Sequence, residues 1–337
     1  MIEGRHGNKT NRRRRDFPRC TRPAARHACK RMLDITGQRI AVLFGGPGSE
    51  RQVSVKTAES VMAALASLGA EVLPVDVTGP DFDCPSDVLI AMNLIHGTFG
   101  EDGQLQALLE ARGIRYTGAG VTDSRTAFDK SLSKARFLSA GVPTPRAQDY
   151  PLDASVPRAI DLPLVSKPPR EGSSVGVRIV RTEAEWQDAL EEARRHGMTT
   201  LLEEFIEGRE LTIGILGDLV LPVIHIEPVE GFYDMNNKYP WLSGTGKTLY
   251  HCPADLDAAT TQRVQEAAMA AFRACDTQVY GRVDVMLRAD GQPFVLEINT
   301  IPGMTSSSLL PKAAQAAGIG FPELCRRIIE LSLAARP

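Results

Sequence analysis

GRVDVMLRADGQPFVLEINT, residues 281–300, is the stretch on which the fold turns. Asp290-Gly291 is a two-residue hairpin signal between two apolar, alternating runs. With those residues as the turn, Ala289 opposes Gln292, Asp284 opposes Glu297 and Arg282 opposes Asn299. Side chains alternate along a strand, so these four polar residues (282, 284, 297, 299) share one face. Val283, Val285, Leu287, Phe294, Leu296 and Ile298 then fill the core face. Two opposed carboxylates, about 5 Å apart, destabilise a hairpin unless positive charge stands between them. Arg282 is one source of that charge. A divalent cation is the other, because Asn299 adds a third hard oxygen of the kind that suits magnesium shared with phosphates.

Upstream, a predicted strand at 163–167 ends in Lys167 and runs into Arg170-Glu171-Gly172-Ser173-Ser174-Val175-Gly176. Small residues there can close amides and hydroxyls over phosphate while the lysine supplies point charge. It is not a Walker loop. Gly244-Thr-Gly-Lys-Thr248 fails as one too, since Trp241 stands where that motif needs its first glycine. Around this loop the pattern predicts a helix over 127–140 with Phe128, Leu132, Ala135 and Leu138 on one face. It continues with a strand at 177–180, a helix over 183–196 and a strand at 200–205.

Further out, an apolar strand at 39–44 ends in Gly45-Gly46-Pro47-Gly48, and Ser49 with Gln52 forms a capping-box pattern for a helix reaching Leu68 and stopping at Gly69. Strands at 71–77, 87–93 and 114–117 and a helix over 104–112 complete a parallel α/β unit. Its ligand loops are 45–50 and 96–103, at the carboxyl ends of strands. The first is no dinucleotide fingerprint, because its glycines fall at 45, 46 and 48 and Glu50 places an acid where a phosphate would sit. Beyond residue 203 strands dominate until two terminal helices, near 307–317 and 321–334.

A glycine loop ahead of a carboxylate hairpin, without a Walker motif, resembles the ATP-grasp fold. Within it, residues 38–334 resemble the D-alanine–D-alanine ligase family in LFGGPGSERQVS (43–54), IHGTFGEDG (95–103), KPPREGSSVG (167–176), FYDMNNKY (232–239), YHCPA (250–254), GRVDVML (281–287) and LEINTIPGMTSSS (296–308). The implied fold class is α/β and α+β, an ATP-grasp fold with an N-terminal parallel, Rossmann-like domain. The implied division is a basic extension at 1–31, a substrate domain at 37–118, a central ATP-grasp subdomain at 119–202 and a metal-bearing subdomain at 203–334.

The resemblance implies ATP-dependent joining of two D-alanines through a D-alanyl phosphate, for peptidoglycan synthesis in the cytoplasm. Asp284, Glu297 and Asn299 would hold two Mg2+ or Mn2+ ions. Lys130, Lys167, Lys238, Ser173 and Ser174 would meet the phosphates, Glu203 and Ile206 the adenine, and Glu210 the ribose. Glu50 would pair with the ammonium of the first D-alanine and His96 would lie near its carboxylate. Arg282 and the Gly303 amide would stabilise the oxyanion. Ser308 and Leu309, opening a helix, would capture the second carboxylate. Tyr239 would hydrogen-bond toward Ser173 and Glu50. Relatives are commonly homodimers through the first domain. A D-alanine–D-lactate ligase of the same family is the close alternative, which Tyr239 opposes. A catalytically dead ATP-binding regulator is opposed by the full ligand set. The chain departs from the family in a longer stretch between Tyr239 and Tyr250 and in Glu204, where relatives place lysine.

Composition is that of an ordinary globular protein: 337 residues, 43% hydrophobic and 24% charged. Apolar runs such as 41–44 and 88–92 fall far short of the roughly 20 residues of a membrane span. The net charge of −2 conceals an uneven distribution. Residues 1–31 hold eleven Lys or Arg against Glu3 and Asp16, +9, which leaves the rest of the chain at −11. Ile2-Glu3-Gly4-Arg5 reads like a protease-tag scar, so the arm is an upstream extension or misplaced start rather than a nucleic-acid tail. A body of −11 argues against a nucleic-acid partner. Six cysteines show no CxxC pair and read as free thiols.

Overall fold

The computed structural model describes residues 1, 33–153, 155–229 and 247–336. The basic extension, Lys238 and Tyr239 lie outside the described residues. Strands β1 (Arg39–Gly45), β2 (Glu71–Val77) and β3 (Ile90–Asn93) form a parallel sheet in the order β2-β1-β3. Helices α1 (Arg51–Ser67) and α2 (Gln104–Ala111) accompany it. The strand expected at 114–117 is reduced to one parallel bridge, Ala91 to Tyr116. The capping box expected at Ser49 does not form: Glu50 is the cap residue, and its side chain makes no cap hydrogen bond.

The helix expected over 127–140 is two helices, α3 (Val121–Phe128) and α4 (Lys130–Ser139), broken at Asp129. Asp129 adopts extended backbone and its carboxylate accepts from the Ser131 and Leu132 amides, a side-chain cap. The break rotates the face that α4 buries. Lys130, Ser133, Lys134 and Phe137 point inward, while Leu132 and Leu138, expected in the core, are exposed.

A second, antiparallel sheet takes the order β4-β7-β5-β6, from β4 (Ala147–Pro151), β5 (Leu164–Lys167), β6 (Arg178–Val180) and β7 (Thr199–Glu204). Helix α5 (Glu183–Arg194) starts with a Thr182–Glu185 capping box. It packs Trp186, Ala189 and Leu190 with Tyr150 and Leu202 of β4 and β7.

The third sheet contains β8 (Gly208–Leu216), β9 (Leu219–Val220), β10 (Ile224–Pro228), β11 (Thr248–His251), β12 (Tyr280–Arg288) and β13 (Pro293–Asn299). Its order is β11-β10-β8-β12-β13, with β9 on β8. One face packs on α6 (Ala258–Ala274), a helix that a strand-dominated reading of this region overlooked. Asp257 caps α6 by accepting from the Thr260 amide. Helices α7 (Leu309–Ala316) and α8 (Phe321–Ala335) end the chain.

The β12–β13 hairpin differs from its expected form twice. The Arg288 amide bonds the Gln292 carbonyl and the Gly291 amide the Arg288 carbonyl. The turn therefore has three residues, 289–291, with Gly291 left-handed at φ +79°, a conformation open to glycine. A bulge between Asp284 and Val285 then absorbs one residue of β13. The two shifts cancel where it matters: Asp284 does oppose Glu297 and Arg282 does oppose Asn299. On the turn side of the bulge the faces of β13 are exchanged. Val295 joins Val283, Val285, Leu287 and Ile298 in the core, while Leu296 and Phe294, expected there, are only half-buried.

Candidate active site

Two cavities meet at this hairpin. The larger, about 580 Å³, is lined by Lys130, Lys167, Ser174, Glu203, Ile206, Glu210, Asp284 and Glu297, with Met286 and Leu296 as apolar wall. The smaller, about 220 Å³, is lined by Glu50, His96, Ser173, Arg282, Asn299, Gly303, Ser308 and Leu309. Lys130, Glu171 and Glu297 line both, and Lys130 Nζ stands 3.1 Å from Glu297 Oε2. All the expected site residues within the described segments therefore lie on these two walls.

Local chain geometry explains the placement. The break at Asp129 turns Lys130 inward, and Asp129 Oδ2 also accepts from Arg170 Nε at 2.7 Å, which anchors the glycine–serine loop. The Lys130 amide bonds the Pro169 carbonyl, and its ammonium donates to the Glu171 carbonyl at 2.7 Å. Ser173 and Ser174 are held at φ +51° and +59°, a left-handed conformation that serine adopts at a cost. Ser173 donates from Oγ to Glu50, joining this loop to the start of α1. A Cβ at Gly97 or Gly172 would come within 2.5 or 2.8 Å of Glu50 Oε2, so both glycines are needed for that carboxylate to fit.

Lys134, off the Phe128–Leu132–Ala135–Leu138 face of the expected helix, is buried with Lys167 and Glu203. Glu203 Oε1 lies 2.6 Å from Lys134 Nζ and Oε2 lies 2.7 Å from Lys167 Nζ. Burial lowers Lys134 to about 8, an effect Glu203 partly offsets. Burial would raise Glu203, yet the two ammonium groups hold it below the usual carboxylate range. Both partners are thus charged at neutral pH.

Arg282 grips Asp284 with two hydrogen bonds of 2.9 Å, and Thr212 donates to the same carboxylate at 2.6 Å. The opposed carboxylates of Asp284 and Glu297 are thus each faced by a cation, Arg282 and Lys130 respectively. Arg282 and Lys130 supply positive charge to this face, and its hard oxygens (two carboxylates and the Asn299 amide) are the donor set of magnesium or manganese rather than of a soft metal. The residues fit such an ion.

His96 is used at both nitrogens. Its Nδ1 donates to the Ile301 carbonyl at 2.9 Å, leaving Nε2, 3.3 Å from Thr57 Oγ1, as the acceptor. Burial lowers its pKa, so the ring is neutral. Beside it, Glu101 accepts from the Gly97 amide at 2.9 Å. Burial pushes this carboxyl up to about 8, with the nearby Glu50 charge adding to the effect. Glu101 and Lys134 are the two residues that reading for site chemistry missed, and their burial is the signal that exposes them.

The Glu101 proton is retained in the folded state and released in the unfolded state between about pH 4.5 and 8, so this contribution to stability is lost as pH rises through that window. Glu101→Gln keeps the acceptor for Gly97 and cannot ionise. Its Tm relative to wild type is expected to be higher at about pH 9 than at about pH 5. A difference that does not change with pH would mean that Glu101 titrates normally.

Known proteins resemble the chain in both sequence and fold. The family model described as "D-ala D-ala ligase C-terminus" matches residues 138–330. The chain is 46% identical to a D-alanine--D-alanine ligase of Methylacidiphilum infernorum, over 87% of this chain and 95% of that protein. It is 42% identical to that of Anaeromyxobacter sp. strain Fw109-5, over 88% and 97% respectively. The crystal structure of the Bacillus anthracis D-alanine--D-alanine ligase complexed with ATP superposes with a TM-score of 0.77 at 34% identity, covering 89% of this chain and 98% of that one.

Proposed function

Because the chain belongs to the D-alanine–D-alanine ligase family and joins two D-alanines at the expense of ATP, we propose that its two cavities divide the reaction between them. The larger cavity takes ATP, with adenine at Glu203 and Ile206 against the apolar wall and ribose hydroxyls on Glu210. Its phosphates run toward Lys167, Lys130 and the Ser173–Ser174 amides, with Lys238 from outside the described residues. Asp284, Glu297 and Asn299 are the residues for two Mg2+ or Mn2+ ions, which when bound neutralise charge on the transferring phosphoryl group. The observation that carries this reading is the Lys130–Glu297 contact of 3.1 Å at the junction of the cavities. A γ-phosphate in one and a carboxylate in the other meet there.

In the smaller cavity Glu50, held by Ser173, pairs with the ammonium of the first D-alanine, and His96 lies near its carboxylate. An oxygen of that carboxylate bonds to the γ-phosphorus and ADP leaves, giving D-alanyl phosphate. The second D-alanine, its carboxylate at Ser308 and Leu309, attacks the acyl carbon through its unprotonated amine. Arg282 and the Gly303 amide face the oxyanion, and phosphate departs as the peptide bond closes. Tyr239, which the family resemblance pairs with Ser173 and Glu50, lies outside the described residues. The same reading makes the protein a cytoplasmic homodimer without nucleic-acid or membrane partners.

Glu50→Gln tests the division. It should raise KM for D-alanine at least about tenfold, the order expected when a charged partner is lost, with KM for ATP unchanged. Equal effects on both substrates would place Glu50 at the phosphates instead.

A further inference from the structure

On the third sheet, His225 and Glu227 of β10, which also line the larger cavity, form with His251 of β11 a cluster to which the reaction described above assigns no role. His225 and His251 are directly paired across the ladder, and Glu227 stands two residues from His225, so all three side chains leave the same face. The imidazole rings stack at 24° with centroids 5.4 Å apart. His251 Nε2 lies 2.7 Å from Glu227 Oε2, and one ligand atom from each of the three residues falls within 4.8 Å of the others. Among the described residues this is the one such group of three or more His, Cys, Asp or Glu.

We propose that His225, Glu227 and His251 form a binding site for a borderline divalent transition ion of the Zn2+ class, built from residues other than Asp284, Glu297 and Asn299. Two imidazoles and one carboxylate, with water in the fourth position, are a tetrahedral zinc donor set. Magnesium, which demands oxygens in an octahedron, is disfavoured there. Bonds of about 2.0 Å place ligand atoms about 3.3 Å from one another. Small rotations of Glu227 and His251, both exposed, close the remaining gap.

Arg209 donates to His225 Nδ1 at 3.3 Å, which makes that nitrogen a lone-pair donor in a neutral ring. The ion displaces this hydrogen bond, while Arg209 keeps its second anchor on the Asp255 carbonyl at 2.9 Å. It also takes the place of the proton between His251 and Glu227. Bound there, it ties the edge strand β11 to β10 at the outer side of the sheet.

The test uses the full chain, stripped with chelator and kept free of nucleotide, which itself binds Zn2+. ZnCl2 is titrated by calorimetry and CoCl2 by visible absorption, in wild type, His251→Phe and Glu227→Gln, with circular dichroism to establish folding. Wild type is expected to bind one more equivalent of Zn2+ than His251→Phe, and to show a Co2+ spectrum of tetrahedral intensity that this variant lacks. Glu227→Gln, which keeps both imidazoles, should weaken that equivalent by more than about tenfold. Comparison with the variants separates this site from cysteines and histidines elsewhere in the chain. Equal Zn2+ uptake by wild type and both variants, or wild-type uptake that the substitutions do not weaken, overturns the proposal.

Discussion

Glu297→Gln is expected to lower turnover by about 10³-fold or more while the folded structure persists, the scale of losing a charge that acts mainly in the transition state. The substitution is isosteric and its side chain is only part-buried, so the hairpin survives it. The hairpin face loses one of two carboxylates, and Lys130 at 3.1 Å loses its counter-charge. With positively charged ligands unbalanced at the phosphoryl group, kcat falls more than KM for ATP rises. Steady-state kinetics over ATP and Mg2+, beside circular dichroism, read both effects. Near-normal turnover would remove Glu297 from the metal and phosphate assignment.

The second large effect is on stability. Lys134→Met leaves Glu203, fully buried, with Lys167 as its remaining ammonium partner. It also removes the Lys134 donations to Thr144 Oγ1 at 2.7 Å and the Pro145 carbonyl at 3.1 Å. Thr144 in turn donates to the Val295 carbonyl on β13, so one ammonium links α4, β7 and the hairpin. Breaking a buried pair on one side costs about 3–5 kcal/mol, measurable by urea unfolding at neutral pH. Adding Glu203→Gln should cost less than the sum of the two single substitutions, because both act on the same Lys134–Glu203–Lys167 cluster. If Lys134→Met unfolds at the wild-type urea midpoint, the cluster carries no such weight. Lys134 acts as a positioning residue, through Glu203 and the strands it joins.

These contacts also mark where reading along the chain stops. The face of the hairpin that carries Arg282, Asp284, Glu297 and Asn299 is legible because alternation and a strong turn signal fix it locally. Its three-residue turn and its bulge are not, because each is decided by main-chain hydrogen bonds that leave no residue pattern. They cancel at Asp284, which is why the expected opposition of Asp284 to Glu297 and of Arg282 to Asn299 is found while Leu296 leaves the core face. The motif-bearing loops at 45–50, 96–103 and 168–176 come together as expected, since glycine and serine at those positions mark close approach. The burial of Lys134 is not legible along the chain because its partner Glu203 is distant in sequence. Helix α6 buries three alanines with Thr260, Val264 and Phe272, a weakly apolar face that only Asp257 announces among the strands around it.

The measurement that bears most directly on the account is the stoichiometry of the reaction. Purified protein given ATP, Mg2+ and D-alanine should release inorganic phosphate and D-alanyl-D-alanine in equal amounts throughout the time course, with neither product formed when D-alanine or ATP is left out. Phosphate released without dipeptide would contradict it.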